Sequence, residues 1–212
     1  MKRAIVLLSL MAPIFAATTA YANRIIYVDA DAPGTNDGSS WANAYNQLYD
    51  ALKDANSVEK PVEVRVAQGT YIPELIIIGE PPHEFRIVEP FQLISGVALR
   101  GGFAGYGEID PNMRHITQYE TVLSGDMLGN DVDVADPCDL LDEPTRSDNA
   151  QVVFAYKVDK SAVIDCFTIT GGRVAGICEL PCGGAGMDCF SASPTVANCT
   201  FIANSVKYES GG

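Results

Sequence analysis

After Pro61 the chain reads as a succession of short apolar runs punctuated by glycine, with no helical periodicity between them. Val62-Glu63-Val64-Arg65-Val66 alternates apolar and charged residues, the period of a strand with one dry and one wet face. Val97-Ala98-Leu99-Arg100 repeats the alternation and runs into Gly101-Gly102-Phe103. Thr121 to Asp126, Gln151 to Tyr156 and Ala162 to Ile169 continue the series. Strands of this length cannot bury a core singly, so they must stack on one another.

The C-terminal part shows the stacking interval. Ile164 to Gly172 matches Val196 to Asn204 at a spacing of 32, which sets Phe167 over Cys199, Thr168 over Thr200 and Ile169 over Phe201. A spacing of 33 instead aligns Cys166 with Cys199 and Val163 with Val196. The two registers send opposite faces inward, because a slip of one residue inverts a strand. The spacing of 32 is preferred: it stacks Ile169 on Phe201 and sets Gly172 against Asn204, a pair suited to left-handed turns. Gly183-Gly184 also returns as Gly211-Gly212, at a spacing of 28. A strand repeat of this size without intervening helices points to a solenoid.

Upstream, Ile25 to Val28 reads as a strand and Asp29 to Ser40 as turns. Trp41, Ala44, Tyr45, Leu48, Leu52 and Ala55 recur at helical spacing, with Ser39 or Ser40 available as a cap. This predicts one amphipathic helix from Trp41 to about Ala55 and assigns its aromatic residues to packing. The intervals 73–91 and 126–149, rich in Pro and Asp, read as long loops.

Residues 1–22 carry Lys2 and Arg3, an apolar run from Ala4 to Ala17 and the small-residue site Ala20-Tyr21-Ala22. That order describes an export signal cleaved between Ala22 and Asn23. The run is shorter than the ~20 residues of a membrane span and is interrupted by Pro13. No later segment is long and apolar enough to span. The chain divides into the signal (1–22), an N-terminal strand, loop and helix (23–60), and stacked strands (61–212).

Composition narrows the function classes. Fourteen basic against 27 acidic residues give a net charge of −13, which argues against nucleic acid, since phosphate neutralisation needs clustered Lys and Arg. His83 and His115 are the only histidines and lack zinc-peptidase spacing. Export permits disulfides among Cys138, Cys166, Cys178, Cys182, Cys189 and Cys199, with Cys178 and Cys182 the pair nearest in sequence around Pro181. Their spacings lack the paired knuckles of a zinc ribbon.

These residues resemble a known family. Tyr27-Val28-Asp29-Ala30-Asp31, Gly38-Ser39-Ser40-Trp41 and Val66-Ala67-Gln68-Gly69-Thr70-Tyr71 look like the opening of secreted pectate-lyase-like right-handed β-helix proteins. Leu99 to Gly105 and Val122 to Asp126 look like the following rungs. The last 50 residues resemble the polymorphic outer-membrane-protein repeat, with its GGAI and FxxN motifs. Phe201-Ile202-Ala203-Asn204 fits the second motif, whereas Gly183-Gly184-Ala185-Gly186 departs from the first at its fourth position. The resemblance implies an all-β, right-handed parallel β-helix whose N-terminal opening is capped by the helix, with further rungs expected beyond Gly212.

Candidate chemistry is sparse. Asp131, Asp133 and Asp136, in a loop that also holds Asp126, Asn130 and Asp139, are hard oxygen ligands of the kind calcium takes. The competing reading is a solvated loop whose aspartates cap turns. Asp29-Ala30-Asp31 with Gly34 is no EF-hand, because Ser40 stands where the bidentate glutamate belongs. A polysaccharide lyase or glycoside hydrolase would use acidic and basic side chains on an outer wall, for which Asp126, Asp165, Arg100 and Arg173 are candidates. Asn198-Cys199-Thr200 matches a glycosylation sequon inside a strand, where the match is incidental. The leading expectation is an exported surface or adhesion-type scaffold for a polysaccharide or cell-surface ligand, without catalysis and with no required cofactor. A carbohydrate-active enzyme, calcium-dependent or not, is the alternative.

Overall fold

The computed structural model describes residues 24–80, 83–176 and 183–208. Along these the chain forms β1 (Arg24–Val28), α1 (Leu48–Ser57), β2 (Val62–Ala67), β3 (Gly69–Tyr71), β4 (Glu74–Ile78), β5 (Phe85–Glu89), β6 (Phe91–Gln92), β7 (Val97–Phe103) and β8 (Thr121–Ser124). There follow β9 (Val153–Tyr156), β10 (Val163–Asp165), β11 (Thr168–Thr170), β12 (Arg173–Gly176), β13 (Met187–Phe190), β14 (Thr195–Ala197), β15 (Thr200–Ile202) and β16 (Ser205–Tyr208). The protein is mostly β, with one α-helix among the described residues. The signal-peptide reading, the cleavage site Ala22–Asn23 and the Cys178–Cys182 pair all lie outside the described residues.

Three sheets take their strands in chain order, one from each pass of the chain: β1-β2-β7-β10-β14, β3-β8-β11-β15 and β6-β9-β13. β12 and β16 pair as a fourth. Every pairing in these four sheets is parallel. Parallel partners require the chain to travel away and return in the same direction, which the glycine-punctuated turns provide. The expected register of 32 is observed: Ile164 pairs with Val196, Thr168 with Thr200 and Ile169 with Phe201.

In-register return stacks like on like. Ile26, Val64, Leu99, Ile164 and Val196 form one inward column, and Tyr71, Leu123, Ile169 and Phe201 a second. Ile26, Val64, Leu99 and Ile164 of the first column, Tyr71, Leu123 and Ile169 of the second, and Phe91 and Val153 build a single apolar core, while Val196 and Phe201 at the ends of the columns are exposed. Each aliphatic side chain fully withdrawn from water contributes about 1.5–3 kcal/mol.

Four expectations are corrected. The stretch Ala162 to Ile169 is not one strand: β10 and β11 are separated at Cys166, whose φ of 64° turns the chain from the first sheet into the second. The left-handed positions of the next turn are Gly171 (φ 68°) and Ala203 (φ 53°), one residue before the Gly172/Asn204 pair. Asn204 acts through its side chain, accepting from Gly172 N at 2.8 Å and donating to Ile169 O at 2.8 Å.

The helix begins at Leu48, not Trp41. Backbone bonds from Tyr45 N to Tyr27 O and from Asp29 N to Tyr45 O draw this stretch onto β1 instead. The Asn46 amide reinforces the choice by donating to the carbonyls of Asp29, Ala30 and Ala32. Ser40 caps a turn at Asn43 rather than the helix, whose first residue follows Gln47 with no side-chain cap. The helix buries Leu48, Ala51, Leu52 and Ala55 and packs on β1 and β2, the first two strands of the first sheet, and on β6, the first of the third.

The interval 73–91 is not a loop. β4 and β5 pair as an antiparallel hairpin in a sheet of their own. The prolines that suggested a loop flank these strands, while Leu75 with Val88 and Ile76 with Ile87 supply the apolar cross-strand pairs. Segment 126–149 does remain without strands, carrying two 3-10 turns at Pro137–Leu141 and Pro144–Asp148.

Candidate functional site: an arginine–carboxylate ladder and an acidic strap

Two polar networks lie outside the core. The first grows from the wet face of the first sheet. The alternation that buries Val62, Val64 and Val66 turns Glu63 and Arg65 outward on β2, and the same rule turns Arg100 outward on β7. Arg65 and Arg100 are directly opposite in the ladder. Two like charges across a strand pair repel, so both need compensation. Glu63 supplies it, accepting from Arg65 Nε at 2.6 Å and standing 3.6 Å from Arg100 Nε. Asp165, on β10, accepts from Arg100 Nη1 at 2.8 Å.

Arg114 completes the group from the loop after β7. Its Nη2 donates to Asp165 Oδ2 at 2.9 Å, and its Nε donates to Gly101 O at 2.8 Å. Arg65 and Arg114 each stand 5.4 Å from the centre of the Phe103 ring. Asn112 Oδ1 accepts from both Arg65 Nη1 and Trp41 Nε1 at 3.1 Å. Trp41 thereby covers the outer side of the strands with Phe103 and Tyr27, which is why its helical spacing misled. Asp165 is only 8% exposed in its side chain. Burial pushes its pKa up, but hydrogen bonds from Asn198 and Arg114 outweigh that and hold it below the usual carboxylate value. The Asn198 amide of the sequon is the group that donates to Asp165 Oδ1, at 2.8 Å.

The second network belongs to segment 126–149, which straps the turns of later passes. Asp126 accepts from the backbone N–H groups of Gly129, Asn130 and Asp131. Burial raises its pKa, and those bonds more than reverse the shift. Arg146, 1% exposed, donates to Asp131 Oδ2 at 2.8 Å, to Ala203 O at 2.7 Å and to Gly172 O at 3.3 Å. Asn149 donates to Asp131 Oδ2 and to Gly171 O. The strap therefore satisfies carbonyls that the stacked turns leave open. Arg173 donates back to the carbonyls of Arg146 and Leu141.

These geometries place every sequence-derived candidate. Arg100 and Asp165 meet; Asp126 lies in the strap, Arg173 on β12 bonds to the strap, and neither shares a hydrogen bond with them. The calcium reading of Asp131, Asp133 and Asp136 does not fit the strap. Asp131 faces a guanidinium, Asp136 caps the turn at Cys138 N, and Asp133 is exposed. A second cation beside Arg146 would be opposed by its charge. Among the described residues no group of three or more His, Cys, Asp or Glu side chains is placed to hold an ion. The disulfide expectation is likewise not met by the described cysteines: Cys138, Cys166, Cys189 and Cys199 are free thiols.

Sequence reasoning missed Arg114, Asn112, Asn198, Arg146 and Asn149. Glu63 and Arg65 carried a signal, since strand alternation already turned them outward. Arg146 carried none, because its partners Gly172 and Ala203 are remote in sequence.

The outer face of the third sheet holds an aromatic row. Phe154, Tyr156 and Phe190 lie nearly parallel, with ring centres 6.2 and 5.7 Å apart, and Lys157 Nζ sits 4.7 Å over Tyr156. Tyr156 and Phe190 are exposed. No family model, curated protein or solved structure matches the chain. No helix among the described residues is long and apolar enough to cross a membrane.

Proposed function

We propose that this chain is an exported, right-handed parallel β-helix that serves as a surface or adhesion-type scaffold for a polysaccharide. The stacked parallel passes support the solenoid, with α1 lying over its first strands as a cap. The resemblance to pectate-lyase-like openings and polymorphic outer-membrane-protein repeats belongs to the same proposal. So does export through residues 1–22.

The observation that carries the non-catalytic reading is closure of the ladder on itself. Glycosidic acid–base chemistry needs two carboxyl groups about 5–9 Å apart, one free to give a proton and the other to receive one. Here Glu63 and Asp165 are each held by two arginines. The ionised form of Asp165 is stabilised by its hydrogen bonds, which suits a rigid wall and opposes proton transfer from it near neutrality. The exposed aromatic row favours a glycan as ligand, because ring faces and edges take the C–H surface of a sugar.

Co-sedimentation with insoluble polysaccharides tests the proposal, run alongside absorbance for unsaturated products with and without calcium. Binding that weakens in Tyr156→Ala and Phe190→Ala, with no product formed, is the expected result. Unsaturated product that disappears in Asp165→Asn would replace the scaffold with the lyase alternative.

A further inference from the structure

The hairpin β4–β5 stands apart from the stacked passes, in a sheet of two strands. A ribbon of two strands is marginal in water, and independent stability takes three or more. Its composition makes the isolation costlier. Leu75, Ile77, Ile78 and Ile87 are each between 43% and 53% exposed. Among the described residues, neither outer edge of the hairpin pairs with another strand.

The two edges differ. β5 carries Arg86 and Glu89, charges of the kind that blunt an edge against pairing. β4 reads Glu74-Leu75-Ile76-Ile77-Ile78 between Pro73 and Gly79, so its edge runs through four consecutive apolar residues with a charge only at the first position. Such an edge is a template for a further strand. A lipid bilayer does not answer it, because hydrocarbon would leave the edge backbone groups unpaired.

The strand that fits is β4 itself. An antiparallel two-fold pairing centred on Ile76 sets Ile76 against its own copy, Leu75 against Ile77 and Glu74 against Ile78. The two glutamates then fall at opposite ends of the ladder, and no like charges face each other.

We propose that β4 is a dimerisation edge, joining two copies of this chain about Ile76 into a four-stranded antiparallel sheet, β5-β4-β4-β5. The shared edge is only five residues long, so the dimer should be weak, with a dissociation constant of about 10–100 μM. A net charge of −13 on each copy opposes the encounter, so salt should strengthen the dimer. A basic partner on the same edge would respond to salt in the opposite sense.

Sedimentation equilibrium of the whole chain, from about 1 to about 500 μM and from about 50 to about 500 mM sodium chloride, tests the proposal. A monomer–dimer equilibrium that tightens severalfold with salt is the expected result. Ile77→Glu is the deciding variant. Ile77 is 53% exposed and lies opposite Arg86 within the hairpin, so a carboxylate there suits the single chain. In the dimer it sets two acidic side chains diagonally across the new ladder, and the dissociation constant should rise at least about tenfold with the circular dichroism spectrum unchanged. A monomer at every concentration, whatever else the hairpin binds, would overturn the inference. So would association that survives Ile77→Glu or loosens with salt.

Discussion

Ile164 and Val196 occupy the same inward position on neighbouring passes, yet the first is 0% exposed and the second 44%. Ile169 and Phe201 repeat the contrast, at 0% and 46%. The side chains are comparably apolar and the register is the same. The difference is that β10 and β11 lie between two parallel neighbours, whereas β14 and β15 are the last strands of their sheets among the described residues. Burial in this architecture is conferred by the adjacent pass rather than by the residue, and so are the paired backbone groups on both sides.

Mutating equivalent positions breaks or sharpens that comparison. Ile169→Ala should cost about 4 kcal/mol in urea unfolding, since its cavity is enclosed, whereas Phe201→Ala should cost less than about 1 kcal/mol despite removing more carbon. Equal losses would show that the last pass is covered in solution. Asp165→Asn comes next, at about 2 kcal/mol, because it leaves Arg100 and Arg114 without their shared carboxylate.

The pH profile is a smaller test with two opposed signs. Asp165 has a folded pKa below its ordinary value of 3.8, so its contribution is present above that value and is lost as pH falls through the lowered one. Asp29 is displaced the other way: burial raises it, against hydrogen bonds from Tyr106 and Asp31. It therefore takes up its proton in the folded state first, and protein stability gains from this carboxyl as pH falls through its raised pKa. Thermal melts should lose more stability in acid for the natural chain than for Asp165→Asn, and Asp29→Asn should remove the opposing gain. Replacing β4–β5 by a short Gly-Ser turn should have the smallest effect of all, leaving the denaturation midpoint nearly unchanged. The hairpin forms a sheet of its own, tied to the helix by the 3.1 Å bond from Tyr49 Oη to Glu89.

The interval between the last two passes was legible because their residues match: a spacing of 32 sets Ile169 beside Phe201 on the same face of their strands, whereas the earlier passes, lengthened by the hairpin and the strap, share no common interval. The ladder was half legible, since alternation turns Glu63, Arg65 and Arg100 outward without saying which charges meet. The helix start was misread because the spacing of Trp41, Ala44 and Tyr45 suits a helix equally well. Hydrogen bonds from Asn46 and the pairing of Tyr45 with β1 decide against it. The hairpin was hidden by its flanking prolines, which mark strand ends as readily as loops.

Sequence alone determined what repeats: strand period and inward faces follow from side-chain alternation, which is local, and the interval between the last two passes follows from their matching residues. The partners of Asp165 and the burial of Arg146 were decided only in three dimensions. Each joins residues from separate passes, and distance along the chain carries no information about which turn carbonyl a buried guanidinium will reach.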